Sequence, residues 1–388
     1  MPWKETSAMD QRIRLIADWL SGDYTKSELC LAYGVSRPTT DKWIGRYAGL
    51  GPKGLEEISR APHIHPNQTP EELRAMIVET KLRHQRWGAK KVMDLLRCED
   101  DRMSWPADST AGEILKRAGL TRPRVRRHRV APYAEPFGAC AGSNQTWSAD
   151  FKGDFRLGDG ARCYPLTVSD NFSRYLFLCR GLARPSHQAT RPWFEWVFRE
   201  YGLPEAIRTD NGAPFASMAV GGVSQLSKWW IKLGVKPERI RPGRPDQNGR
   251  HERMHRTLKE AVPPQASLLA QQRKFDPFIE EYNWERSHEA LGRKTPASVY
   301  CSSPRPYPAR LPEVEYDSEI VVRQVRHNGE IRWRGEHIYV SEVLAKEPVG
   351  LRPVGTYKWE LYYSFHLLGV LDERTKKIIP AKGWHGAN

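Results

Sequence analysis

From Asn144 onward the chain alternates in an order that few folds accept. WSADFKGDF, ARCYPLTVSD and RYLFLCR are short β-rich runs parted by turn residues. A helix with aromatics follows, ATRPWFEWVFREYG, then a short strand, EAIRTD, then a further helix, SQLSKWWIKLG. Strand, strand, strand, helix, strand, helix predicts an α/β domain with helices packed on a mixed sheet. PERIRPGRPDQNG reads as a turn-rich connection into a polar, basic helix, RHERMHRTLKEAV.

The segments on either side follow other patterns. In Gln11 to Leu20, the residues Ile13, Ile16, Ala17 and Leu20 fall at helical spacing and predict one apolar face. A second helix from about Lys26 should end at Gly34, and Ser36 should cap a third, with Pro38 tolerated in its first turn. Leu29, Cys30, Val35 and Trp43 would fill the angle of this helix-turn-helix. Arg37, Thr39, Thr40 and Lys42 lie on its second helix, where base and phosphate contacts are expected. Pro52 to Pro70 reads as a linker, and a second helical unit runs from about Pro70 to Leu120, with Gly119 as its C-cap. The basic run after it, including Arg124, Arg126 and Arg127, reads as a solvated or phosphate-facing segment. From about Tyr307 the pattern is all-β, with a hairpin expected at Asn328-Gly329.

Composition narrows the class of partner. A chain of 388 residues should hold two to four domains. Its formal net charge of +15 points to a polyanion, because neutralised phosphates release counterions. None of the six cysteines has zinc-ligand spacing, and His63 and His65 sit in the linker. With no signal-peptide core and no apolar run of membrane length, the chain reads as reduced, soluble and intracellular.

Three acids fall at positions that matter in such an α/β domain. Asp150 lies within the first strand, Asp210 closes the fourth in Arg208-Thr209-Asp210-Asn211-Gly212, and Glu252 lies on the helix after PDQNG. Carboxylates gathered by adjacent strands repel one another unless cations neutralise them. Hard oxygen ligands and a polyanionic substrate suit Mg²⁺ or Mn²⁺. Two ions about 3.5–4 Å apart could activate a nucleophile and stabilise the leaving oxygen of a phosphoryl displacement. Asp154, at a strand end, and Glu260, beside Glu252, read as bystanders, whereas Asp170 and Asp246 read as caps. Asn211, Gly212, Asn248 and Gly249 would shape the backbone around the acids.

VSRPTTDKW, WGAKKV, STAGEILKRAGL, WSADFKGDF, RTDNGAPF, GRPDQNGRHERMHRTLKE and YNWERSHEALGRKTPASVY occur in order along the chain. Together they resemble the transposases of bacterial insertion sequences in the IS3/IS481 group, whose catalytic domain is similar to retroviral integrase and ribonuclease H. The resemblance covers essentially the whole chain. It implies a multidomain α/β architecture: N-terminal helix-turn-helix units, a ribonuclease H-like catalytic core of mixed sheet with helices, and a C-terminal small all-β domain. The expected divisions are residues 1–60, 66–130, 144–305 and 307–388.

The resemblance also implies that Asp150, Asp210 and Glu252 are the catalytic acids holding two Mg²⁺ or Mn²⁺ ions. Lys259 matches the basic residue seven positions after the Glu, which a helix returns to the same face. The interval from Asp210 to Glu252, lengthened around SMAVGGVSQLS, resembles the IS481-like branch. The implied activity is DNA cleavage and strand transfer at element ends. Its partners would be double-stranded DNA, both terminal inverted repeats and target, and at least a second copy of the chain. The implied location is the cytoplasm, at the nucleoid. The rivals are a non-catalytic DNA-binding regulator derived from a transposase and a nuclease without strand transfer.

Overall fold

The computed structural model describes residues 7–58, 68–121, 140–217, 219–240 and 249–381. The chain divides between Thr69 and Pro70 into two compact units. In the first, α1 (Ala8–Ser21), α2 (Lys26–Tyr33) and α3 (Arg37–Leu50) form the expected helix-turn-helix. Ser7 with Asp10, and Thr25 with Glu28, make reciprocal capping boxes. Gly34 takes the left-handed conformation at φ 62°, which ends α2 sharply enough for α3 to cross it.

The buried stripe of α1 is narrower than the periodicity predicts. Leu15 and Ile16 are buried against Trp43, Ile44 and Leu55, while Ile13 and Leu20 are exposed. The start of the expected linker is also folded: Gly51–Leu55 is a 3₁₀ turn. Leu55 enters the core there, and Arg12 donates to its carbonyl (3.0 Å) and pairs with Glu57.

The second unit begins with α4 (Glu71–Arg83), α5 (Ala89–Glu99) and α6 (Asp108–Arg117), packed around Ile77, Trp87, Met93 and Leu115. These helices are docked on the sheet domain that follows. Trp87 Nε1 donates to Glu281 (2.8 Å), Lys91 Nζ to the carbonyl of Ser287 (2.6 Å) and Ser287 Oγ to Asp94 (2.5 Å). Arg293 joins both Asp94 and Asp108.

The sheet domain contains β1 (Thr146–Phe151), β2 (Phe155–Arg156), β3 (Arg162–Asp170), β4 (Leu176–Leu182) and α7 (His187–Tyr201). It continues with β5 (Ala206–Thr209), α8 (Gln225–Lys232), β6 (Lys236–Arg239), α9 (Gly249–Ala261) and α10 (Leu268–Glu280). β4, β3 and β1 pair antiparallel, and β5 and β6 extend the sheet parallel to β1. This is the ribonuclease H-like mixed sheet. One face buries Trp147, Phe194, Phe198 and Trp230 under α7 and α8; the other buries Cys163, Cys179, Met254 and Phe275 under α9 and α10. β6 corrects the sequence reading, which placed Lys236–Arg239 partly in a turn-rich connection. Pro237 is tolerated because β6 is an edge strand with only β5 beside it.

The C-terminal part is all-β, as expected, with a different pairing. β7 (Val321–Gln324), β10 (Pro348–Gly355), β11 (Lys358–Tyr363), β12 (His366–Asp372) and β13 (Lys377–Pro380) form one antiparallel sheet. The tight hairpin joins β8 (Glu330–Trp333) to β9 (Glu336–Tyr339) through Arg334 and Gly335, both at positive φ. It was expected one turn earlier, at Asn328-Gly329. There the chain instead leaves one sheet for the other, since β7 pairs with β10. Among the described residues no helix is long and apolar enough to cross a membrane.

Candidate active site

β1 is the central strand, and its buried positions end at Ala149, so Asp150 is the first residue to reach the rim of the core. Thr167 of β3 lies opposite it in register. Asp210 follows the last residue of β5, the parallel neighbour of β1, so both acids stand at the same end of adjacent strands. Glu252 occupies the first turn of α9 with its side chain exposed.

The other two acids act on Asp150. Burial, then the charge of Asp210 and that of Glu252, push the Asp150 carboxyl up to about 7, against a bond from the Phe151 backbone N–H that lowers it. Asp210 is also raised by burial, partly offset by the Gly212 N–H that donates to it (3.1 Å) and by the Arg239 guanidinium. A Cβ on Gly212 would stand 3.0 Å from the Asp210 carboxylate, so glycine is what lets the turn fold back on that acid. Asn211 Nδ2 holds the same turn to the carbonyl of Ile240 (2.9 Å). Three converging acids, one kept from ordinary ionisation by burial and its neighbours, are a donor set that fits a hard divalent cation.

Beneath the acids lies a network absent from the sequence reading. His251 and His255 are buried on α9 and both place Nε2 at 2.7 Å from the Thr167 hydroxyl, while His251 Nδ1 meets Ser169 (3.1 Å). Burial holds His251 down to about 3 and His255 to about 2, so both rings are neutral. Asp150, His251 and His255 each bring a potential ligand atom within 4.8 Å of the others. Both Nε2 atoms already meet the threonine hydroxyl, so the histidines form the floor of the carboxylate site. The signal for them in the sequence is their spacing of four around Glu252 on a helix.

The remaining expected residues sort by position. Lys259 is exposed on the last turn of α9, and its charge, after burial, lowers the amine of Lys152, two residues beyond Asp150. Asp154 pairs with Arg162 (2.6 Å). Asp170 caps its own turn by accepting from Ser173 N (2.7 Å) and Asn144 N (2.9 Å). Arg37, Thr39 and Lys42 lie on α3 with accessible side chains. Thr40, expected to face DNA, is instead fully buried, its hydroxyl 3.3 Å from Cys30 Sγ in the angle between α2 and α3. Arg124, Arg126, Arg127, Asp246 and Asn248 lie outside the described residues.

Comparison with known proteins agrees with this order of parts. A helix-turn-helix domain family matches residues 11–63 and a homeodomain-like domain family residues 39–115. Integrase core domain families match residues 141–245 and 233–296. An uncharacterized protein of insertion element IS476 from Xanthomonas euvesicatoria is 29% identical over 67% of this chain and 72% of its own length. One of insertion element IS407 from Burkholderia multivorans is 27% identical over 60% of this chain and 82% of its own. The HTLV-2 integrase catalytic core domain, solved in complex with magnesium, aligns with 41% of this chain and 97% of its own at 16% identity, TM-score 0.33. The chain thus carries an integrase core behind helix-turn-helix domains, and is similar over most of its length to proteins encoded by bacterial insertion elements.

Proposed function

We propose that this chain cleaves DNA strands at the ends of an insertion sequence and joins them to target DNA, with Asp150, Asp210 and Glu252 as its catalytic acids. The observation that carries the reading is the state of Asp150, held up to about 7 by burial and by the charges of Asp210 and Glu252. Repulsion of that kind costs stability in the free protein and is relieved when a cation is shared. The three carboxylates would hold divalent metal, Mg²⁺ or Mn²⁺, which when bound supplies Lewis-acid activation of the attacking and leaving oxygens. The protein supplies the geometry. Gly212 fixes the Asp210 carboxylate, and the floor of Thr167, His251 and His255 ties α9 to the strand that faces Asp150. Lys152 and Lys259 place two ammonium groups beside the acids, where DNA phosphate would be drawn in. α3, with Arg37 and Lys42, would read the terminal repeats, and joining two ends calls for at least a dimer.

Supercoiled-plasmid nicking and oligonucleotide strand-joining assays test the assignment. Asp150→Asn, Asp210→Asn and Glu252→Gln should each reduce both reactions to background while retaining binding to element ends. Mn²⁺ should raise the Tm of the wild type and not that of Asp150→Asn. In chelator, Asp150→Asn should be at least as stable as the wild type, because the repulsion is gone. Ordinary joining by any of the three variants removes that residue from the site. End binding by the wild type with no metal-dependent cleavage would leave a DNA-binding regulator.

A further inference from the structure

The segment YNWERSHEALGRKTPASVY has no part in the carboxylate site, yet the structure turns it against the helix that carries Glu252. Tyr282, Arg286 and His288 from this segment meet Arg250, Arg253 and Thr257 of α9, Lys91 of α5 and Arg174 around a cavity of about 460 Å³. α9 therefore presents separate faces. His251, Met254, His255 and Leu258 point into the core, and Glu252 and Lys259 share a second face. Arg250, Arg253 and Thr257, at spacings of three and four, line the cavity.

The charges in this cavity are unbalanced. Among the described residues, Lys91, Arg174, Arg250, Arg253 and Arg286 appear in no ion pair, and the one acid in the lining, Glu289, pairs outward with Lys90 (3.7 Å). What the cations do bond to is main chain: Lys91 to the carbonyl of Ser287 (2.6 Å), Arg174 and Arg250 both to that of Asn171 (2.8 and 3.1 Å). Carbonyls aim these groups without neutralising them. Burial and the Arg286 charge lower Lys91 to about 8, against the charges of Asp94, Glu289 and Glu281, and burial and Arg250 lower Arg174 to about 10. His288 stands beside them with its Nε2 buried and without a hydrogen-bond partner among the described residues. Burial and the charges of Lys91, Arg286, Arg174 and Arg253 keep its ring neutral, down to about 3. Arg174 itself holds a left-handed backbone at φ 66°, an uncommon conformation for arginine.

Convergent guanidinium forks with an ammonium group suit an anion with several oxygens and more than one charge, and phosphate oxygens meet both requirements. We propose that this cavity binds backbone phosphates of the DNA strand that runs past the carboxylate site, and so holds that strand one helix face away from Glu252. The inference rests on the function proposed above, since it takes DNA as the substrate. The neighbouring Tyr282 and His288 rings, edge to face at 4.9 Å, form an aromatic side of the same cavity.

The test is a fluorescence-anisotropy titration of a labelled element-end oligonucleotide against the full chain, in chelator, over a series of salt concentrations. Arg250→Gln/Arg253→Gln should bind about 10-fold more weakly, and its slope of log affinity against log salt should be shallower by about 2, near one unit per lost phosphate contact. The control Arg162→Gln/Arg199→Gln, which removes the same charge from paired surface sites, should leave the slope unchanged. The Tm of the cavity variant should equal or exceed that of the wild type, because like charges have been separated. A slope equal to the wild type's overturns the proposal. So does a loss of pyrophosphate-induced stabilisation, at matched ionic strength, with the DNA slope intact: the cavity would then take free phosphate species. Should the double variant fail to fold, Arg253→Gln alone, on an exposed side chain, carries the same test with a change of about one. The slope needs no catalysis. Normal nicking with an unaltered slope refutes the cavity alone, and a reduced slope in a protein that never nicks refutes the proposed function alone.

Discussion

The hydroxyl of Thr167 meets three groups at once: the carbonyl of Asp150 (3.1 Å) and the Nε2 atoms of His251 and His255 (2.7 Å each). A hydroxyl has one proton to donate and two lone pairs with which to accept. The network closes when Thr167 donates to the carbonyl and both neutral imidazoles donate to Thr167; His251 Nδ1 then accepts from Ser169 Oγ. Removing this one oxygen leaves two buried imidazole N–H groups without their partner. Each such group costs about 1–3 kcal/mol. We therefore expect Thr167→Val, close to isosteric, to lower the Tm by several degrees. It should lower strand cleavage further than the stability loss accounts for, because α9 loses its tie to the strand opposite Asp150. Thr167→Ser, which keeps the hydroxyl, should restore both. Calorimetry and nicking assays on the pair decide it: a valine variant as stable and active as the wild type would mean the network carries neither. Apart from the spacing of four between the two histidines, none of this was legible in the sequence. A threonine in a strand and two histidines on a helix are ordinary residues until the fold brings Thr167 opposite Asp150. The acids were legible because two lie at strand ends beside turn residues, a position that local sequence specifies.

Among the elements, α3 shows how far pattern alone carries. Its limits follow from Gly34, Ser36 and Pro38, which act within a turn of the chain and can be read there. Which of its side chains face outward depends on α2, and Thr40 went to the interior for that reason. Arg37 and Lys42 remain accessible. Arg37→Ala or Lys42→Ala should weaken binding to element ends with little change in Tm. A base contact would cost about 1–3 kcal/mol for the cognate sequence alone, whereas a phosphate contact would weaken every sequence and flatten the salt slope. Gel-shift titrations with cognate and scrambled ends separate the two, and unchanged binding by both variants would remove α3 as the reader. The same distinction explains the misses elsewhere. β6 is four residues beginning at Lys236, with a proline second, and is a strand only because β5 offers it an edge. The hairpin moved from Asn328-Gly329 to Arg334-Gly335 because β7 found its partner in β10, well beyond the reach of a local turn signal.

At the scale of the molecule, the C-terminal sheet is joined to the sheet domain through a small contact rich in glycine and cations. Gly221 lies against Leu368 at φ 65°, where a Cβ would stand 2.9 Å from the leucine side chain. Val223 and Ile231 share a core with Leu351, Leu361 and Leu368, and Lys228 and Lys232 reach across to Glu347 (3.9 and 2.8 Å). His366 is buried at this joint. Burial, and behind it the charges of Arg239 and Lys236, lower it to about 4, against a backbone bond with Gly221 that raises it. An unfolded histidine titrates near 6.5. Between about 4 and 6.5, then, the unfolded chain holds the proton that the folded chain refuses, so stability rises with pH across that window and is lost as pH falls through it. One histidine contributes at most one proton to that slope, about 1.4 kcal/mol per pH unit. His366→Gln should therefore flatten the dependence of the urea midpoint on pH between about 6.5 and 4, whatever it does to the midpoint at neutral pH. Because the joint is local, the flattening should appear first in the fluorescence of Trp333 and Trp359, which lie within 4.8 Å of each other in the C-terminal part. A variant whose midpoint falls with acid as steeply as the wild type's would show that His366 is not what makes this joint sensitive to protons.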